Sequence, residues 1–317
     1  MTGIDKKGVL AMIKNVGIVG AGSVGSALMT YFYEACRGDL YVLARGDRAA
    51  RLKREGICAN DRVIWPKVYS DRNQNVKIDL LIITVKNYSL GQVMDEIADL
   101  IDSDTVILPV QNGITATDRL RERFPDNHVL YGVILRTDAH RKGHKVYFTT
   151  TGEMQIGYGD NRKLAKELEA IYEKIHSTGI NVKIYDDMRR IQWRKWMLNT
   201  GAGQAAVEIG VECGYFDQIS EIVSLMKLCM DEILTLAEAE CVDINEKDRD
   251  EIIELLMKYP ENKKMSMLQD VEAGRPVEIE DYAGTVMALG RKHGIKTPAN
   301  EVFYYAIKAR EKLRREK

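Results

Sequence analysis

Cysteine is scarce in this chain. There are five in 317 residues (Cys36, Cys58, Cys213, Cys229 and Cys241), an odd number with no Cys-x-x-Cys spacing. That excludes a disulfide framework and a zinc ribbon, and predicts reduced, mostly packed thiols in a cytoplasmic protein. No Cys/His cluster offers a metal site, so none is expected. An excess of one charge is also missing: 46 Lys+Arg stand against 47 Asp+Glu, a formal net charge of -1. Without a basic field, neither nucleic acid nor an anionic membrane surface is an expected partner. No apolar run approaches the roughly 20 residues of a membrane helix. The apolar part of MTGIDKKGVLAMIK, residues 1–14, is too short for a signal peptide and reads as an extension ahead of the first strand. Internal repeats and low-complexity segments are absent too. What remains is an ordinary globular composition, 45% hydrophobic and 29% charged. The length suits two domains of roughly 150 residues each.

The stretch NVGIVGAGSVGSA (residues 15–27) carries the first functional signal. An apolar run (Val16, Ile18, Val19) enters Gly20-x-Gly22-x-x-Gly25, and Ala27-Leu28-Met29 opens a helical pattern over about residues 23–36. In a strand–turn–helix context Gly20 allows the tight turn and Gly22 lets a pyrophosphate approach the backbone. Gly25 lets the helix pack close, and the helix N-terminus offers free N–H groups to phosphate. The alternative is a plain βα turn. A second strand, Leu40–Leu43, ends in Ala44-Arg45-Gly46-Asp47-Arg48. An acid at that strand end takes the ribose 2′-hydroxyl in NAD-specific folds, whereas arginine suits a 2′-phosphate. The last positions of this strand hold no acid. Arg45 therefore favours NADP over NAD through guanidinium–phosphate pairing; a solvated surface arginine is the alternative.

Residues 79–85, DLLIITV, are the most apolar run and predict a central strand buried on both faces. This strand delivers Lys86 and Asn87 at its carboxyl end, where open α/β sheets bind ligands. A second such strand, residues 105–110, delivers Gln111-Asn112-Gly113 at the same edge. A surface lysine and a satisfied turn asparagine are the alternatives for Lys86 and Asn112. Further strands are expected at 130–133 and 182–184, a polar turn through Ala139 and Gly143, and a hairpin of 145–149 with 154–157. A helix is expected at about 161–177. From Met188 onward helical periodicity replaces strand-like runs. The boundary therefore falls near Asp187, giving an α/β domain over 1–187 and a helical domain over 188–317.

In the helical half, Lys195 and Asn199 lie four apart on one helix face, among Trp193, Trp196 and Met197. Gly203 continues their line. A cation and an amide aimed into a cleft is one reading; a snorkelling surface lysine is the other. Further on, the Gly274-Arg275-Pro276 turn predicts a reversal that brings Ser266 and Glu278 near each other. A helix-start serine and a first-turn acid are the plain alternatives.

Taken in order, GxGxxG, Val85-Lys86, Gln111-Asn112-Gly113, Trp193-x-Lys195-x-x-x-Asn199 and Ser266-Met267-Leu268-Gln269-Asp270, followed by Glu278-Ile279, resemble the ketopantoate reductase family. The resemblance spans about residues 15–310. It implies a Rossmann-type α/β N-terminal domain joined to an all-helical C-terminal domain, with the active site in the cleft between them. It also implies NADPH-dependent reduction of a branched 2-keto acid, ketopantoate, to pantoate on the route to coenzyme A. Gly20, Ala21, Gly22, Ser23, Val24 and Gly25 are implied to hold the pyrophosphate and Arg45 the 2′-phosphate. Lys86 is implied to touch the nucleotide, Asn112 both cofactor and substrate, and Ala139 the nicotinamide side. Lys195 matches the proton donor and Asn199 and Ser266 match substrate-binding positions. Glu278 matches an acid near the nicotinamide ribose and the lysine. A homodimer through the helical domain is implied by the resemblance alone.

Hydride addition to a ketone leaves an alkoxide, so a lysine that stabilises the charge and then supplies the proton lowers the barrier twice. Two positions depart from the family's pattern. Gly203 stands where a second asparagine is common, and Cys213 stands before Gly214 where another is often found. Both belong to the substrate side. Lost amides leave polar substrate groups unpaired and so alter discrimination. The readings that stay open are ketopantoate reduction, reduction of another 2-keto acid, a related opine or 3-hydroxy-acid dehydrogenase, and a non-catalytic NADP(H)-binding sensor.

Overall fold

Buried on both faces, the apolar runs of the N-terminal half become the strands of one parallel sheet. The computed structural model describes residues 13–36, 38–159 and 166–315. The chain divides into two compact units, Met1–Arg189 and Arg190–Lys317. In the first, β1 (Val16–Val19) lies between β2 (Leu40–Leu43) and β6 (Leu80–Ile83). The edges are β5 (Lys67–Tyr69) and β7 (Val106–Pro109), giving the order β5-β2-β1-β6-β7 with every pairing parallel. Strand order reverses between β1 and β6, the switch point past whose carboxyl ends such sheets bind ligands. All four residues of β6 are 0% exposed, which is why its sequence is continuously apolar rather than alternating. Each such side chain contributes about 1.5–3 kcal/mol on burial.

Alternate strand residues serve the two faces. Ile18, Val42, Leu80, Ile82 and Leu108 pack with Leu28, Met29 and Phe32 of helix α1 (Ser23–Ala35). Val19, Leu43, Leu81, Ile83 and Ile107 pack on the other face. There they meet Leu90, Val93 and Ile97 of α3 (Leu90–Ile97) and Leu120 of α4 (Ala116–Arg123). Helix α2 (Gly46–Glu55) follows β2, with Arg45 as its N-cap residue.

A second, four-stranded sheet has the order β4-β3-β10-β9. It is made of β3 (Ile57–Ala59), β4 (Arg62–Ile64), β9 (His140–Lys142) and β10 (Lys145–Tyr147). Ala59, Val146 and Phe148 from this region close over Ala27 of α1. A third sheet, β12-β11-β8, comprises β8 (Tyr131–Leu135), β11 (Glu153–Gly157) and β12 (Asn181–Tyr185), with α5 (Lys166–His176) between β11 and β12 in the chain.

The expected hairpin of 145–149 with 154–157 does not form. β10 pairs with β9 across Gly143 (φ +62°) and in parallel with β3, while β11 pairs with β8 and β12. The segment after β10 is held elsewhere. Asn60 exchanges two hydrogen bonds with Phe148 (2.9 and 3.0 Å), and Asp138 accepts from the N–H groups of Thr149 and Thr150. The polar turn through Ala139 and Gly143 is in part a strand, β9. The helix expected at 161–177 is α5, and residues 160–165, which include its expected start, lie outside the described residues.

Every described element from Met188 onward is helical. These are α6 (Met188–Ile209), a 3₁₀ turn at Cys213–Tyr215, α7 (Ser220–Ala239), α8 (Glu246–Met257), α9 (Ser266–Glu272), a π-helical turn at Glu280–Gly284, α10 (Thr285–His293) and α11 (Pro298–Arg315). Within the second unit α6 approaches α7 closely: a Cβ at Gly201 falls 2.5 Å from the Met230 methyl carbon. A buried polar ladder ties α6, α7 and α11 together, Gln204 donating to Asn300 (3.1 Å) and Asn300 to Glu232 (2.7 Å). Among the described residues no helix is long and apolar enough to cross a membrane.

Candidate active site

In the first unit the glycine turn between β1 and α1 is shaped by three different demands. Gly20 adopts φ +102°, and a Cβ there falls 2.8 Å from the Thr84 hydroxyl. A Cβ at Gly25 falls 1.9 Å from the Gly20 carbonyl oxygen, so any side chain forces α1 off the turn. Gly22, the N-cap residue of α1, has nothing within 4 Å of its Cβ position. That open cradle beside a helix N-terminus with no acid in its first turn fits a pyrophosphate. Ala21, Ser23 and Val24 complete the turn and are partly buried.

Two residues outside the fingerprint hold it in place. Thr84, just past β6, donates its hydroxyl to the carbonyls of Val19 (3.0 Å) and Gly20 (2.7 Å). Arg141, on β9, donates to the Ala21 carbonyl at 2.5 Å, which places a guanidinium at the phosphate turn. The sequence reading missed both. A threonine in an apolar strand run and an arginine in the basic stretch HRKGHK were the available signals, and neither marks a partner 64 or 120 residues away.

The strand-end residues come together as their shared sheet edge requires. Lys86 is partly buried, and the buried Asn87 donates its amide to the Asn112 carbonyl at 2.7 Å. Gln111 beside it is buried, with neither side-chain polar atom partnered. Leaving such an amide unpartnered is costly, so its polar atoms are available to a group that enters at this edge. Ala139 lies immediately before β9 and packs against the patch of Ala59, Val146 and Phe148 over α1. Arg45 stands at the end of β2, with its guanidinium Nη2 bonded to the Asp99 carboxylate. This pairing was invisible in the sequence.

In the second unit α6 is buried around most of its circumference. Trp193, Trp196, Met197 and Thr200 are 3% exposed or less, whereas Lys195 and Asn199 lie on a partly exposed stripe. Gly203, one turn further, is buried, and its Cβ position is 3.8 and 3.9 Å from Met267 Cβ and Cε. The Lys195–Asn199–Gly203 line therefore ends beside the start of α9, where Ser266 is the exposed first residue. That helix stops at Gly274 (φ +70°), with Arg275 N–H bonded to the Asp270 carbonyl at 2.8 Å. Beyond it, Glu278 is a buried carboxylate, 4% exposed, just ahead of the π-helical turn. The Trp196 indole N–H donates to the Asp281 carbonyl in that turn at 2.8 Å. This registers the segment after Glu278 against the helix that carries Lys195. Cys213 is buried, which pushes its thiol up to about 11 and keeps it neutral. Among the described residues no cluster of His, Cys, Asp and Glu can hold a metal ion.

Comparison with known proteins covers both units. The model of the family described as ketopantoate reductase PanE/ApbA matches residues 16–161, and the model of that family's C-terminal part matches residues 187–311. A 2-dehydropantoate 2-reductase of Aquifex aeolicus is 25% identical over 307 residues, covering 95% of this chain and 98% of the relative. Among solved structures, D-mandelate dehydrogenase with NADH and anilino(oxo)acetate superposes with a TM-score of 0.82 at 22% identity, over 95% of this chain and 99% of that one. A dimeric ketopantoate reductase from Staphylococcus aureus gives a TM-score of 0.77 at 20% identity, with coverage of 95% and 99%. At those identities the structural matches show the shared two-domain fold.

Proposed function

The chain belongs to the ketopantoate reductase family, and from that premise we propose that it reduces 2-dehydropantoate to pantoate with NADPH. When bound, the reduced nicotinamide supplies the hydride that adds to the ketone carbon. The chain's own residues do the rest. Gly20–Gly25 and the N-terminus of α1 hold the pyrophosphate, Arg45 takes the 2′-phosphate, and Lys86, Asn112 and Ala139 line the nucleotide. Asn199 and Ser266 orient the substrate's oxygens, a positional gain that needs no new chemistry. Lys195 stabilises the alkoxide and delivers its proton to that oxygen; a positioned acid of this kind contributes about 10²–10⁴ in rate. Glu278 supplies an acid near the nicotinamide ribose and the lysine.

The observation that carries this reading is the stripe on α6: Lys195 and Asn199, one turn apart, stay partly exposed beside the buried Trp196 and Met197, and their line leads to Gly203 against Met267 of α9. The test is turnover of ketopantoate with NADPH, followed by loss of the reduced-nicotinamide absorbance, with Lys195→Ala alongside. Lys195-dependent turnover supports the reading. NADPH binding without turnover of any 2-keto acid overturns it in favour of a sensor.

Gly203 favours a second reading, a different 2-keto acid. The position where the family often places an amide lies in ordinary contact with Met267, a neighbour that suits an apolar substituent. A panel of 2-keto acids in the same assay separates the two. The protein is placed in the cytoplasm, in keeping with its unpaired cysteines, and acts as a homodimer. Supporting the dimer, α11 exposes Val302 (69%), Tyr305 (63%) and Leu313 (62%), and the Staphylococcus aureus neighbour is dimeric. Light scattering on the wild type and on Tyr305→Glu tests it: a dimer that the substitution splits is expected, and a wild-type monomer overturns it.

A further inference from the structure

We infer that Asp99 sets the balance between NADPH and NADH by competing with the cofactor's 2′-phosphate for Arg45. The inference rests on the placement of Arg45 at the adenosine ribose. The last positions of β2 carry no acid, yet an acid is present there in space. Asp99, two residues past the end of α3, accepts a hydrogen bond from Arg45 Nη2 across 54 residues of sequence. The loop that carries it is fixed from the other side, where Arg72 donates to the Asp99 carbonyl (3.5 Å) and to Asp102 (2.8 Å). Both partners stay accessible, the Arg45 side chain 36% exposed and that of Asp99 56%, so a ligand reaches them without unfolding anything. Arg45 Nε is buried and has no acceptor, a donor left over after Asp99 has taken Nη2.

The two cofactors meet this pair differently. A 2′-phosphate dianion must share the guanidinium with a carboxylate, and the like charges repel. A 2′-hydroxyl donates to the same carboxylate, which is the role the strand-end acid plays in NAD-specific folds. The Arg45 guanidinium holds the Asp99 carboxyl below its usual range, so the carboxylate is charged at neutral pH. Asp99 therefore weakens NADPH and strengthens NADH, narrowing a preference that Arg45 alone would make wide.

The experiment is fluorescence titration of the purified full-length protein with NADPH and with NADH, for the wild type, Asp99→Asn and Arg45→Ala. In Asp99→Asn the ratio of NADH to NADPH dissociation constants is expected to rise about tenfold, mostly through tighter NADPH. A ratio that is unchanged or lower overturns the inference. Arg45→Ala is expected to weaken NADPH and leave NADH nearly unmoved. If it changes neither constant, Arg45 is not at the ribose, and the inference falls with that placement. If Arg45→Ala weakens NADPH while Asp99→Asn leaves the ratio where it was, the placement stands and only the role of Asp99 is overturned.

Discussion

The two units build their share of the chemistry from different material. In the first, the proposed binding groups are largely backbone: a turn that three glycines form, a helix N-terminus and the carboxyl ends of β6 and β7. In the second they are side chains on helix faces, Lys195 and Asn199 on α6, Ser266 at the start of α9 and Glu278 before a π-helical turn. A site made of backbone tolerates exchange of neighbouring side chains and fails when a Cβ is added in the wrong place. A site made of side chains fails one residue at a time. The difference is open to test by substitutions whose expected effects run from large to small.

Lys195→Ala breaks the side-chain half most completely. The expected loss in kcat is about 10²–10⁴, with the NADPH dissociation constant unchanged, because the proposed role of the lysine is on the alkoxide and not on the nucleotide. Parallel loss of NADPH binding would erase the distinction between the units. Gly25→Ala is the counterpart in the first unit. Its methyl would sit 1.9 Å from the Gly20 carbonyl oxygen, and forcing α1 off the turn costs about 1–3 kcal/mol of stability by overpacking. NADPH affinity falls with it. Gly22→Ala meets no atom within 4 Å, so its melting temperature stays at the wild-type value while NADPH binding weakens. Thermal melts and titrations of the two variants check the pair.

How much was legible in the sequence follows the same division. Gly20, Gly22 and Gly25 are read from spacing, because backbone geometry restricts the residue type at Gly20 and Gly25 and the proposed phosphate approach restricts it at Gly22. The strands β1, β2, β6 and β7 are legible because continuous burial demands continuous apolarity. The short strands β3, β4 and β5, three residues each, have too little pattern to register. The hairpin expected after β10 failed because pairing was assigned to sequence neighbours, whereas β11 pairs with β8 and β12. Asp99, Thr84, Arg141 and the Trp196–Asp281 bond escaped for one reason: each joins groups 54 to 120 residues apart. Lys195 and Asn199 were marked by their i, i+4 spacing, but their chemistry came from the ordered set of motifs.

Trp196→Phe sharpens the side-chain half. Phenylalanine keeps an aromatic ring on α6 but removes the indole donor and part of its buried volume, so stability falls and the Asp281 carbonyl loses its 2.8 Å bond. Losing a hydrogen bond of this kind costs about 0.5–1.5 kcal/mol. If the bond only stabilises the fold, the melting temperature drops and kcat stays. If it positions Glu278 for Lys195, kcat is expected to fall about tenfold on an equivalent free-energy loss, and the pH–rate profile shifts with it. The second outcome is expected, because a π-helical turn between Glu278 and α10 would otherwise fix its register loosely.

The smallest effect separates substrates rather than units. Gly203→Asn places an amide beside Met267, whose nearest atoms are 3.8 and 3.9 Å from the new Cβ, so the Cβ itself enters without a clash. An amide there gives a hydroxylated substrate a partner and makes an apolar one desolvate a polar group for nothing. The ratio of kcat/KM for ketopantoate to that for an unhydroxylated 2-keto acid should rise, by about tenfold for one hydrogen bond to a neutral group. A rise means that glycine at 203 selects for an apolar substituent. An unchanged ratio means the substrate's distal end lies away from this turn of α6, and discrimination then rests with Ser266 and Asn199 alone.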